Sequence, residues 1–228
     1  MRAARRHVIA SILVASNLAG CGPNPDRPDA QGLSGADTAG PRTLLADWHA
    51  SLVAGDKAAY LACFVGSEEE LVLALALMEV VQASYAFHDA VLAAYGEGGW
   101  QAFQQSKGAR VDLFPRDPNW TATITLARMG DAAFGYLRTG RVPLHMSREG
   151  GGWRLHASGL VPPGFEAQRA ADYLFRWAAT LRELAPKIGD KRLRADHARK
   201  QVTEDFQARI APDEQPEAAE AVEFFMMH

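Results

Sequence analysis

The chain has 228 residues, with 22% charged and 48% in the broad apolar set, which excludes collagen-like, coiled-coil and wholly disordered readings. Its length suits one domain with additions and leaves too little for two full ones. The formal net charge is −3. Three of the 24 basic residues and none of the 27 acids lie in the first twenty positions, so the rest is more acidic still. A general nucleic-acid binder needs a dominant positive field, and no nucleic-acid partner is expected.

Arg2, Arg5 and Arg6 precede an apolar run from Val8 to Leu18, broken only by Ser11, Ser16 and Asn17. A spanning helix needs ~20 apolar residues, so this run is too short. A basic start and a short apolar core predict a secretory signal over 1–20. Leu18-Ala19-Gly20-Cys21 resembles the lipobox of bacterial lipoproteins. The resemblance implies cleavage before Cys21, lipidation of its thiol with palmitate-like acyl chains, and a membrane partner held through that lipid. Gly22 stands where an aspartate often retains lipoproteins in the inner membrane. The implied place is therefore the cell envelope, on the outer membrane, facing the periplasm or the cell surface. Each buried CH₂ contributes ~0.8 kcal/mol, and two or more chains make a stable anchor. With Cys21 lipidated, Cys63 has no intrachain disulfide partner. In the apolar stretch Tyr60-Leu61-Ala62-Cys63-Phe64 it reads as a small buried hydrophobe before a catalytic thiol.

Gly22 to Pro41 holds four glycines, four prolines and no aromatic residue. It cannot bury apolar surface and reads as a disordered tether spanning about 25 Å. Residues 21–41 are thus lipidated cysteine and tether, and no second apolar segment long enough to span a bilayer is expected after them. A folded α+β domain is expected over 42–163, a helical extension over 164–212 and an acidic tail over 213–228. Leu44, Leu45, Trp48, Leu52 and Val53 recur at helical spacing, Gly55 suits the stop, and Asp56 can cap a short helix through Phe64. Ser67-Glu68-Glu69-Glu70 matches a capping box before a helix to about Tyr95. Leu71 to Met78 is apolar on every side, which predicts a central helix under something broad such as a sheet, and the most buried stretch of the chain.

Beyond Pro118 the period falls to two. Trp120, Ala122, Ile124 and Leu126 alternate with threonines, and Gly130-Asp131 turns the chain into a strand from Ala132 to Arg138. Thr139-Gly140 joins this hairpin to the next. Val142, Leu144 and Met146 alternate up to Gly150–Gly152, then Trp153, Leu155 and Ala157 alternate back. Two half-apolar hairpins predict an antiparallel sheet with one covered face. Ala170, Leu174, Trp177, Leu181 and Leu184 then form one helical stripe ending at Pro186 and Gly189, and a more polar helix follows over Asp190 to Ile210.

The segment from Leu44-Leu45-Ala46-Asp47 to Gly55-Asp56-Lys57-Ala58-Ala59-Tyr60 resembles the opening of the nuclear-transport-factor-2-like (SnoaL-like) superfamily, where a helix ends in Gly-Asp before a short second one. Arg148-Glu149-Gly150-Gly151-Gly152-Trp153-Arg154-Leu155 resembles its last hairpin, where a Gly-Trp step leads the final strand. The resemblance covers about half the chain. It implies an α+β fold with N-terminal helices packed on a curved antiparallel sheet, a cone enclosing a cavity, followed here by C-terminal helices outside the resemblance. Enzymes, binding modules and scaffolds share that fold, so it does not fix a function.

Catalytic members of that superfamily often place Asp or His in the cavity. His88, on one flank of the central helix with Val81, Ser84, Val91 and Tyr95, is the candidate proton carrier here, and a structural histidine is the alternative. Asp89 is expected about 100° away, so the two form no dyad. Tyr85, His88, Tyr95, Trp120, Phe134 and Trp153 are candidate pocket-lining residues, with plain core as the alternative. A two-residue loop at Gly150-Gly151 would pair 149 with 152 and set His145 opposite His156, as an exposed pair or a weak metal site. No HxH, HExxH or CxxC pattern supplies further ligands, so neither a metal nor another cofactor is expected. Lys191-Arg192-Leu193-Arg194 to Arg199-Lys200 reads as a solvated basic face that can meet anionic head groups or the acidic tail. The expectation is a lipid-anchored envelope accessory or ligand-binding protein, its partner an apolar small ligand or an envelope protein. The rivals are an isomerase or dehydratase using His88 and an interaction protein docking through its C-terminal helices.

Overall fold

The structure, a computed structural model, describes residues 39–108, 110–136 and 144–226. The expected signal, Cys21, most of the expected tether and Thr139-Gly140 lie outside the described residues. Helix α1 (Ala39–Ala54) takes in Pro41, which the tether was expected to hold, because Pro is well tolerated in a first helical turn. Gly55, at φ 72°, stops it, and the Asp56 carboxylate accepts from the Ala59 amide to start α2 (Lys57–Ala62). Phe64 does not continue that helix. It begins the two-residue strand β1 (Phe64–Val65).

The capping box at Ser67 forms in full. Ser67 Oγ accepts from the Glu70 amide at 3.3 Å, and Glu70 Oε2 accepts from the Ser67 amide at 2.9 Å. Helix α3 (Glu68–Gln105) runs past the expected end at Tyr95 and kinks at Gly96, whose φ 65° and ψ −170° suit glycine almost alone. By length and composition α3 could cross a bilayer, contrary to the expectation for this part of the chain. Its all-round apolarity has a different cause: it is the common wall of two cores. Leu73, Ala76, Val80, Ala83 and Phe87 pack with the later helices. Ala74 and Met78 pack with α1 and the sheet.

The expected strand from Trp120 starts later. Asp117 accepts from the Asn119 amide, Pro118 opens a 3₁₀ turn over Pro118–Thr123, and β2 follows (Thr125–Met129). Strands β3 (Ala132–Tyr136), β4 (Leu144–Glu149) and β5 (Gly152–His156) complete an antiparallel meander. Strand order is β1-β5-β4-β3-β2, and β1 lies parallel to β5, with Leu155 N donating to Cys63 O at 2.8 Å. The sheet is therefore mixed, not purely antiparallel as expected, because the chain leaving α2 runs alongside the last strand. The fold is α+β.

Helices α4 (Ala167–Gly189), α5 (Ala195–Gln207) and α6 (Gln215–Met226) follow. The predicted α4 stripe is fully buried against α3, and it carries more large buried side chains than Leu71 to Met78, of which Leu71, Val72, Leu75 and Leu77 keep some exposure. The acidic tail is a helix. Ala218, Ala221 and Val222 join the helical core, and Arg169 meets Glu214 and Glu217 at 3.4 and 2.7 Å. All described residues belong to one compact unit.

Candidate functional site

The interior that a conical cavity would occupy is filled. Ala133, Met146 and Leu155 of the sheet join one apolar cluster with Leu45, Trp48, Ala74 and Met78. Of the expected pocket-lining aromatics, Trp120 and Trp153 pack against that cluster. Trp120 stands 4.6 Å from Phe114 and 5.7 Å from His49 between ring centres. His49, not singled out in the sequence, is buried and donates from Nε2 to Pro115 O at 2.8 Å. Tyr95 donates to Leu193 O at 3.2 Å, tying the kink of α3 to the turn before α5.

His88 is engaged too. Its ring meets Trp100 edge-on at 4.6 Å, and its Nδ1 lies 3.2 Å from Asp89 Oδ1, so the two neighbours do meet, contrary to the helical-wheel argument. The Asp89 carboxylate also takes both terminal nitrogens of Arg116, at 3.2 and 2.9 Å, and Arg116 holds it below the usual carboxylate range. Arg116 stacks 4.1 Å over Tyr85, whose hydroxyl donates to Phe114 O at 3.0 Å. The set Tyr85, Arg116, Asp89 and His88 clamps residues 114–116 onto α3.

The hairpin register is as expected: Glu149 pairs with Gly152, and His145 stacks on His156 at 4.2 Å. Phe134 extends the stack at 5.0 Å. Burial, then the facing His156, hold His145 below the ordinary imidazole value. This is the sheet face away from the core, and Met129 and Tyr136 on it are 74% and 46% exposed. Ser147 Oγ donates to Glu149 Oε1 at 2.9 Å and lies 2.7 Å from His156 Nε2. Its proton is committed to the carboxylate, so it accepts from Nε2–H, and the imidazole acts as donor rather than base. Glu149 sits 3.8 Å from that same nitrogen, not on the far one where a triad's acid belongs. Among the described residues no three or more His, Cys, Asp or Glu could hold a metal.

An open cleft of about 850 Å³ runs between α1, α2 and β5, with Trp153, Arg154, Asp47 and Cys63 on its walls. Trp153 is thus the one member of the aromatic set that lines it. The Cys63 thiol donates to Ala59 O at 3.4 Å, and burial, then Asp47, push its pKa up, which disfavours the thiolate.

A second pocket, of about 440 Å³, sets two guanidinium groups beside an apolar wall. Its apolar wall is Trp177, Phe206, Ile210 and Val222, from α4, the end of α5 and α6. Arg110 and Arg199 border it. Arg199 donates to Gln104 O, Ser106 O and Gly108 O at 2.6–2.8 Å, capping the carbonyl end of α3. Burial, then the neighbouring Arg110 guanidinium, push Arg199 below its ordinary value. Trp177 is fully buried, and its indole N–H has no acceptor among the described residues. The sequence signalled only part of this. Trp177 stood in the α4 stripe and Arg199 in the basic run, but Arg110 lies far from both in the chain and in no motif. The rest of the basic run is spent locally: Arg194 meets Asp196 at 2.9 Å and Lys200 meets Glu204 at 3.4 Å. Comparison with protein-family models, with curated proteins and with solved structures finds no match to this chain.

Proposed function

We propose that the chain is a lipid-anchored cell-envelope protein, held through an acylated Cys21 on the outer membrane, whose body binds a small ligand rather than catalysing a reaction. One observation carries the binding reading. His88, His156, Ser147 and Cys63 are each tied to structural partners, whereas the pocket walled by α4, α5 and α6 brings together apolar surface and two guanidinium groups. Its volume falls within the range of about 300–1,000 Å³ found for small-molecule sites. The body is on this reading a nuclear-transport-factor-2-like cone filled by its own side chains, with the binding site moved to the added helices. Helices that precede an antiparallel meander, and the Gly-Trp step into its last strand, support that descent.

The anchor is tested by intact-mass analysis of membrane-extracted protein, and an unmodified cysteine or cleavage elsewhere refutes it. Binding is tested by native mass spectrometry of the gently extracted chain, which should carry a bound species, with His88→Ala leaving it in place. Isomerisation or dehydration of a substrate that disappears with His88→Ala while the fold is kept would favour the enzyme reading instead.

A further inference from the structure

Resting on that reading of the pocket, we infer that its ligand is an amphipathic anion. The apolar part lies against Trp177, Phe206, Ile210 and Val222, and the charged head is held by Arg110 beside Arg199. Three observations support this. Two guanidiniums stand close enough to act on each other, and like charges crowd together at a cost that a bound anion removes. A smaller recess of about 230 Å³ shares both arginines, so the pair sits between two concavities. Arg199 is already fixed by the carbonyls closing α3, whereas Arg110 is exposed and has no hydrogen-bond or ion-pair partner among the described residues. Arg199 therefore sets the field and Arg110 is available to grip. Asp112 is the carboxylate on which both guanidiniums act, which leaves the trio net positive. Glu223 lines the pocket from α6 and is the chain's own competing anion. A guanidinium prefers a carboxylate, sulfate or phosphate head, which it can meet through two parallel N–H groups.

The test uses residues 22–228, which contain the whole compact unit and neither the apolar run nor the acylated cysteine, so that no detergent competes, and three probes of equal chain length: octanoate, octanol and octylamine. Calorimetry should show octanoate binding about tenfold or more tighter than octanol, the difference a charge-assisted contact makes. Octylamine should bind weakest. Arg110→Gln should remove the preference for octanoate and leave octanol binding unchanged. Ala219→Trp, an exposed position on the pocket wall, should abolish binding of all three. Equal binding of the three probes, or a preference that survives Arg110→Gln, overturns the anion assignment while the binding reading stands. If none of them binds, or if octanoate binds unchanged to both variants, the pocket itself is refuted as the site.

Discussion

The kink in α3 yields a prediction with opposite signs at adjacent residues. Gly98 and Gly99 both lie in the helical turn that follows Gly96. A Cβ built on Gly98 meets nothing within 4 Å, whereas one on Gly99 would stand 2.2 Å from Tyr95 Cβ and 3.7 Å from Val91 Cγ1. Carbon atoms rest at about 3.5–4.0 Å, so the first contact is more than about 1 Å too short. Tyr95 Cβ is fixed to the backbone and cannot rotate away, so the kink itself must open. Overpacking of this kind costs about 1–3 kcal/mol. For a domain of this size about 2–4 °C accompanies each kcal/mol, so Gly99→Ala should lower Tm by roughly 2–12 °C. Gly98→Ala should be neutral or stabilising by up to about 1 kcal/mol, as helix propensity alone demands. Thermal unfolding followed by circular dichroism separates the two. If Gly99→Ala is as stable as Gly98→Ala, α3 does not kink at Gly96 as described. Gly96→Ala is the companion measurement and should cost on the order of 1–3 kcal/mol through its backbone conformation.

His145 supplies a pH-dependent outcome. Its folded pKa lies below the ordinary histidine value near 6.5, so the unfolded chain takes up the proton first as pH falls. Stability is kept above that value and declines as pH drops through about 6.5 toward the folded value. His145→Phe, continuing the stack from Phe134, should flatten that part of a Tm-against-pH curve, and an unchanged slope would show that His145 does not titrate below its ordinary value in the folded chain. Cys63 should resist a neutral maleimide in the native Cys21→Ser chain and react at the rate of an ordinary thiol in denaturant, since burial and Asp47 disfavour its thiolate. Rapid native labelling would contradict that environment. Ser67→Ala should cost about 1 kcal/mol, read by chemical denaturation, through loss of one half of the capping box. An unaffected midpoint would mean that the three first-turn glutamates carry the helix start alone.

Much of the framework was legible because its signals are local. The period-four stripes of α1 and α4, the capping box at Ser67, and the Gly150-Gly151 loop that sets His145 against His156 each need only nearby residues. Features that depend on distant partners were not. Two residues of β1 have no period to detect, and their pairing exists only because β5 lies alongside. Trp120 alternates like a strand residue, yet Asp117 and Pro118 impose a 3₁₀ turn that sends its ring to Trp48 and His49. Helix α6 docks through alanines, which look unremarkable in an acidic segment. Asp89 reaches His88 because neighbouring long side chains can bend toward each other, a freedom that an angle measured between Cβ directions ignores. The α4–α6 pocket was least legible of all, since residues 110, 177, 199 and 222 share no spacing and meet only after three helices have packed.

The position of α3 has a consequence for how this architecture can be shortened. Leu73, Ala76, Val80, Ala83 and Phe87 make a second apolar flank whose cover includes the buried stripe of α4 and residues of α5 and α6, with Phe103 and Val111 beside them. A protein that kept only the meander and its preceding helices would present that flank to water, an invitation to self-association. Any natural chain of the shorter design should therefore be polar at the five equivalent positions. The opposite change, from polar to apolar at these five positions, would mark the step at which the later helices ceased to be dispensable.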